Sequence, residues 1–208
     1  MVGAREQQKK ETRALLLKTA RELFEERGFR KTTIKQVAEK AGVAVGTVFV
    51  HFPDKSALLA ASFIGSIDEV VEKAFEEVPK DKGIVEILLH FARHLYSWYR
   101  HDPELTKHLL KESLFLGGES GEQSREQTEA FIFRLMAFVE EAKERGELDK
   151  ALDNFLASLS FFASYFTVLI GVIKEPDSPL EFHLGMLEKA IRFQLRLPTD
   201  TITSFSPE

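Results

Sequence analysis

Residues 33–52 constrain this chain more than any other stretch, because they read as two short helices joined by one tight turn. Thr33 has the side chain to cap a helix, and Gln36 stands three residues on, the spacing of a capping box. Val37 and Ala38 give the first helix an apolar side, and Ala38 is small enough for a second helix to cross close to it. Gly42 falls in the turn, where a left-handed backbone is cheap only for glycine. Val43 and Val48 supply the contacts that hold the second helix, about 44–51, and Phe52-Pro53-Asp54-Lys55 follows it. The pattern predicts a helix-turn-helix, whose second helix lies in the major groove of DNA. An ordinary helical hairpin inside a core would use the same residue types.

The charge distribution separates these readings. The chain of 208 residues carries a formal net charge of −5, which by itself argues against nucleic acid. Residues 1–56, however, hold 12 Lys and Arg against 7 Asp and Glu, and the remainder holds 16 against 26. A basic N-terminal quarter on an acidic body fits a DNA-binding head attached to something that does not touch DNA. With 44% hydrophobic residues the chain has material for a substantial core. The absence of cysteine excludes a disulfide scaffold or a thiolate metal site. The polar, charged N-terminus does not look like a signal peptide, so the expected location is the cytoplasm.

Apolar spacing predicts helices throughout and no strands, hence an all-α fold. The first helix spans about 5–27, with Leu16, Ala20, Leu23 and Phe24 on one stripe and Gly28 as its stop. Asp54 is placed to cap a helix running to about Val78. Further helices are expected at 84–101, from Asp102-Pro103 to about Leu116, at 122–145, at 148–174 and at 179–197. Gly117 to Gly121 reads as a flexible loop, and the last ten residues as a frayed tail. Residues 155–173 contain no charge, long enough to cross a membrane, but Ser158, Ser160, Ser164, Tyr165 and Thr167 dilute the run and no basic flank frames it. The expectation is a helix buried on all sides, with no membrane partner. The last helix has two apolar faces. Leu180, Leu184, Leu187, Ile191 and Leu195 form one, and Phe182, Met186, Ala190, Phe193 and Leu197 the other. Two faces need two partners, so Phe155, Leu159, Phe182, Met186 and Phe193 are expected at a homodimer interface.

Residues 12–60 resemble the N-terminal domain of the tetracycline-repressor (TetR) family. The resemblance rests on Thr12-Arg13, Ala20, Leu23-Phe24, Arg27-Gly28-Phe29, Thr32-Thr33-Ile34 through Ala38, and Ala41-Gly42-Val43. It continues through Gly46-Thr47-Val48-Phe49, His51-Phe52 and Lys55-Ser56-Ala57-Leu58-Leu59. It implies an all-α homodimer of about nine helices per chain, with an N-terminal three-helix helix-turn-helix domain and a variable C-terminal domain that holds a ligand cavity. It also implies repression that is relieved when a small molecule binds. The corresponding domains here are 1–53, for DNA, and 54–208, for ligand and dimerisation. The chain departs from the family pattern in the second helix of the motif. Ala44 stands where a serine often caps that helix, Val45 where a polar residue is common, and Phe49 where a tyrosine is frequent; Val50 too replaces a residue that is often polar or aromatic. The DNA-facing set is therefore Thr33, Ala44, Val45, Gly46, Thr47, Phe49, Val50, His51 and Lys55. Thr47 is able to hydrogen-bond a base edge or phosphate, and Val45 and Val50 to pack on thymine methyls. Thr33, His51, Lys55 and the N-terminal basic residues are expected at phosphates.

The body is rich in aromatic residues, most of which must be core, and the chain has 18 Phe. A pocket for a small hydrophobic effector, fatty-acyl or aromatic, would draw on Phe63, Ile67, Phe91, His94, Leu95, Trp98, Phe115, Phe131, Arg134, Leu135, Phe138, Phe162, Tyr165 and Phe166. Glu86, His90 and His94 have the four-residue spacing of a Zn2+ or Ni2+ site, and a polar cavity lining or plain surface explains them equally well. There is no glycine-rich phosphate loop and no nucleophile elbow, so no catalytic residues and no cofactor are expected. The expected function is a ligand-responsive regulator that binds a palindromic double-stranded DNA operator. A ligand-independent DNA-binding or architectural factor of the same fold, or a metal-responsive one, is the alternative.

Overall fold

A computed structural model describes residues 2–198. The expected frayed tail lies outside the described residues. The apolar stripes fold into nine helices among the described residues: α1 Val2–Lys31, α2 Ile34–Ala41, α3 Val45–His51, α4 Lys55–Glu76, α5 Ile84–His101, α6 Pro103–Ser113, α7 Gly118–Glu144, α8 Asn154–Lys174 and α9 Leu180–Gln194. Gly28 interrupts α1 with φ 76° and ψ 164°, so the long helix stops at the glycine and a last turn follows it. Contacts divide the chain into two units. One comprises Met1–Asp68 with Asp102–Arg125, the other Glu69–His101 with Glu126–Glu208. Helices α4 and α7 contribute residues to both.

In the first unit the predicted stripe of α1, Leu16, Ala20, Leu23 and Phe24, is fully buried. Val37, Ala38 and Val48 are buried too, as are Leu58 and Leu59 of α4 and Leu105 and Leu109 of α6. The buried Thr32 hydroxyl reaches the carbonyls of Leu23 and Gly28, both at 3.0 Å, satisfying the end of α1 from inside the core.

In the second unit α5, α8 and α9 pack on one another. Tyr96 and Tyr165 stack with ring centroids 5.1 Å apart, and the Tyr96 hydroxyl donates to the Tyr165 carbonyl at 2.8 Å. Burial pushes both phenols far above their ordinary range, so they are neutral hydrogen-bonding groups. The Glu147 carboxylate accepts from the Ile84 N–H at 2.8 Å and so caps α5.

Two boundaries and the burial of α8 differ from the sequence expectation. Residues 148–153 are not helical; Asp153 accepts from the Leu156 N–H at 2.8 Å and starts α8 there. The glycine-rich run at 117–121 is only partly a loop, because α7 begins at Gly118 and its first turn includes Gly121. Gly121 has no side chain to obstruct the Leu116 carbonyl that lies against it, and this close approach is what a glycine permits. Helix α8 is not buried on all sides. Ala157, Phe161, Tyr165, Leu169 and Val172 are buried, while Phe155, Leu156, Leu159 and Ile170 are exposed, because the chain supplies partners for one face only. By length and composition α8 remains the helix among the described residues that could cross a bilayer. The two faces of α9 behave as their spacing predicts: Leu184, Leu187, Ile191 and Leu195 are buried, and Phe182, Met186 and Phe193 are exposed.

His183 lies on the buried side of α9 at 3% exposure, and its Nε2 has no hydrogen-bond partner. Burial lowers its pKa below the ordinary histidine value, so the folded chain holds it neutral. The unfolded chain then binds the proton more readily. Stability is full above the ordinary histidine range, near 6.5, and falls as the pH drops below it. Urea unfolding at pH 7.5 and 5.5 should show a smaller acid loss for His183→Leu than for the unaltered chain.

Candidate nucleic-acid interface

The helix-turn-helix is built as its residues require. The Thr33 hydroxyl accepts from the Gln36 N–H at 3.2 Å, and Gln36 Oε1 accepts from the Thr33 N–H at 2.9 Å, completing the capping box. Gly42 takes φ 69°, and the N–H groups of Gly42 and Val43 close onto the carbonyls of Glu39 and Ala38 at 3.2 and 3.0 Å. This is a Schellman ending, and it turns the chain directly into α3. Ala44 begins α3 without a side-chain cap, as its methyl dictates. Val48 is completely buried, which directs the opposite side of α3 outward: Val50 is 73% exposed, Phe49 51% and Val45 40%. Ala44 and Gly46 are exposed with them, and Thr47 is half-buried.

Basic groups adjoin this surface. The first turns of α1 are exposed through residue 11 and carry Arg5, Lys9 and Lys10. Lys9 and Arg13 lie near enough to His51, at the end of α3, to lower its pKa; burial lowers it more. Arg13 packs over the Phe52 ring at 5.3 Å and pairs with Glu119 at 3.3 Å, tying α1 to the exit of α3 and to the first turn of α7.

Two residues expected at phosphates have other bonds. The Thr33 hydroxyl also lies 3.1 Å from Gln36 Oε1, so it is engaged within the capping box. Lys55 Nζ donates to the carbonyls of Phe29 and Thr32 at 2.8 and 3.0 Å and sits 4.2 Å from the centre of the Phe29 ring. Two of its three donors are thus used to close the end of α1, and its pKa is lowered by burial.

The structure gathers many of the aromatic residues named for the effector in the second unit. Phe91, Leu95, Phe131, Leu135 and Tyr165 are buried there, and Trp98, Phe138, Phe162 and Phe166 are half-buried. Rings of Phe91, Phe131, Phe138 and Phe162 form a connected set. Its hub is Phe75, within 4.5 Å of Phe91, 5.9 Å of Phe131 and 6.2 Å of Phe138. Phe75 lies on the helix expected from Asp54 to about Val78 and outside the residues named for the effector; its place one helical turn from Val71 is the signal in the sequence. Arg134 lies on the outside, 3.4 Å over the Phe75 ring and paired with Glu72. Phe63 and Ile67 fall in the first unit, and so does Phe115, which is 91% exposed. His94 bonds the Glu77 carboxylate at 3.0 Å and the His90 carbonyl at 3.0 Å. Glu86, His90 and His94 are not assembled into a metal-holding group among the described residues. A cleft of about 450 Å3 beside Arg27, Phe29 and His108, and another of about 230 Å3 beside Asp153, Leu156 and Arg196, involve none of the residues named for the effector.

An outward-facing second helix on a Schellman turn, flanked by an exposed basic helix, defines a helix-turn-helix DNA-binding protein. Residues 16–62 match the family described as bacterial regulatory proteins, tetR family. The HTH-type transcriptional repressor AcnR of Corynebacterium glutamicum is 27% identical over 164 residues, covering 74% of this chain and 84% of the relative. Among solved structures, Thermus thermophilus FadR, a TetR-family transcriptional repressor in complex with lauroyl-CoA, aligns with a TM-score of 0.65 at 23% identity, over 93% of this chain and all of that one. RolR in complex with resorcinol aligns with a TM-score of 0.67 at 21% identity, over 92% and 91%. Over its helix-turn-helix domain the chain is similar to tetR-family transcriptional regulators, and its fold is similar to theirs over most of its length.

Lys55→Ala removes two charge-assisted bonds to carbonyls that then lack donors. It should cost about 2 kcal/mol of stability in urea unfolding.

Proposed function

We propose that the chain binds a two-fold DNA operator as a homodimer, represses from it, and releases it when a small hydrophobic effector, fatty-acyl or aromatic, occupies the second unit. The observation that carries the DNA half is α3, whose buried Val48 leaves a whole helix face exposed beside basic α1. The division of labour follows: residues 1–53 as the DNA-binding head and 54–208 as the effector and dimer body.

The homodimer is supported by the apolar faces that one chain leaves open. Phe155, Leu159, Phe182, Met186 and Phe193 of α8 and α9 are between 37% and 80% exposed. Apolar surface of this kind, on two helices that pack together, is normally covered by a partner, and two helices from each chain make a four-helix interface about a two-fold axis. A dimer of heads meets successive major grooves when the recognition helices are about 34–36 Å apart.

The effector class is supported by the aromatic cluster around Phe75, which suits an acyl chain or an aromatic ring better than a sugar, and by the lauroyl-CoA and resorcinol bound to the FadR and RolR structures. Phe75 stands near the end of α4, and Lys55 in its first turn holds the end of α1. An effector that displaces Phe75 acts on α4, the helix whose first turn holds the end of α1. A coupling of about 1–3 kcal/mol between effector and operator is enough for release.

Fluorescence anisotropy of a selected duplex with the full chain tests this reading. Addition of lauroyl-CoA or resorcinol should weaken binding by about 5- to 150-fold for the matching class, the range that such couplings span. Exchange of both Arg5 and Lys9 for alanine should lower the slope of log K against log salt by about two units per chain, with stability unchanged. Phe182→Glu with Phe193→Glu should convert the dimer to monomer in native mass spectrometry.

A further inference from the structure

On α3 the residues that face away from the core are Gly46 and Val50, with Val45 and Phe49 on one flank and Thr47 on the other, as 3.6 residues per turn and the burial of Val48 require. The centre of the exposed surface is thus a bare backbone and an isopropyl group. A Cβ built on Gly46 meets nothing within 4 Å, so the helix backbone is open to a close approach at that point. Thr47 brings the one hydrogen-bonding side chain of this face; Val45, Phe49 and Val50 bring only carbon.

Resting on the DNA-binding reading above, we propose that α3 selects its DNA through thymine C5-methyl groups. In the major groove the methyl of thymine is the one apolar feature of a base-pair edge. Val45, Phe49 and Val50 offer it an apolar seat, and the space over Gly46 lets the helix sit low enough for contact. The same surface rejects G·C pairs. Guanine O6 and N7 and cytosine N4 would lose water and find no partner on valine or phenylalanine. From Val45 to Val50 the helix rises about 7.5 Å at 1.5 Å per residue. That distance spans about two base-pair steps of 3.4 Å. Each half-site therefore carries a run of two to three A·T pairs at its centre, with Thr47 bonding a base edge or phosphate beside it.

The test uses the full chain and duplexes recovered with it from a randomised pool. In a recovered duplex each thymine of one half-site is replaced in turn by deoxyuridine, which removes the methyl and leaves base pairing intact. Two or three adjacent positions should each weaken binding about fourfold, the ratio that corresponds to about 0.8 kcal/mol per buried methyl-sized group. A 5-methylcytosine placed at one of these positions should bind more tightly than cytosine there. Val50→Ala and Val45→Ala, at exposed positions where alanine costs little stability, should each abolish the uracil effect at one position and leave the others. Recovered duplexes that bind equally well with uracil at every position, or that are rich in G·C where α3 docks, overturn the proposal and leave the DNA-binding reading standing. Failure to recover any duplex overturns both.

Discussion

The packing of α3 on α2, with Val37, Ala38 and Val48 all buried, is the constraint on which the rest depends. It is reached only because Gly42 turns the chain through a left-handed conformation and returns the N–H groups of residues 42 and 43 to α2. With Val48 inside, the pitch of a helix leaves Val45, Gly46, Phe49 and Val50 no choice but to face out. A DNA-reading surface is thus the residue of a packing decision. The same economy shows at Lys55, whose ammonium closes the end of α1 instead of standing free, and at Thr33, whose hydroxyl serves the capping box.

The body is arranged around a different constraint. It has more apolar helix surface than one chain covers. Helix α8 buries one face on α5 and α9 and leaves Phe155, Leu156, Leu159 and Ile170 outside; α9 leaves Phe182, Met186 and Phe193. Water-facing surface of that composition is costly unless something sits on it. On the inside, rings from Phe75 through Phe91 and Phe131 to Phe162 meet tilted or edge-to-face in a connected apolar region.

Most of the helices, the capping box, the left-handed glycine and the two faces of α9 were legible in the chain alone, because each is a local matter of spacing, capping atoms and φ. The end of α1 at Gly28 and the capping of α8 by Asp153 belong to the same class, although α8 begins at Asn154 and not at residue 148 as expected. What spacing does not carry is the identity of a residue's neighbours across helices. Phe115 and Phe131 look equally apolar in the sequence, yet one is 91% exposed and the other 5%. Phe75 became the hub of the aromatic set because α4, α5 and α7 meet at it. Arg134 became a lid on that ring because Glu72 holds it there.

The sequence by itself determined an all-helical chain, a helix-turn-helix with an apolar reading face, and a last helix with one face too many, since hydrophobic period and backbone stereochemistry act within a few residues. Only the tertiary structure decided that Lys55 is bonded to the end of α1, which aromatic rings converge and which face of α8 is left uncovered. Those outcomes depend on contacts between residues far apart in the chain, where burial and hydrogen-bond satisfaction are settled jointly by several helices and by no single one of them.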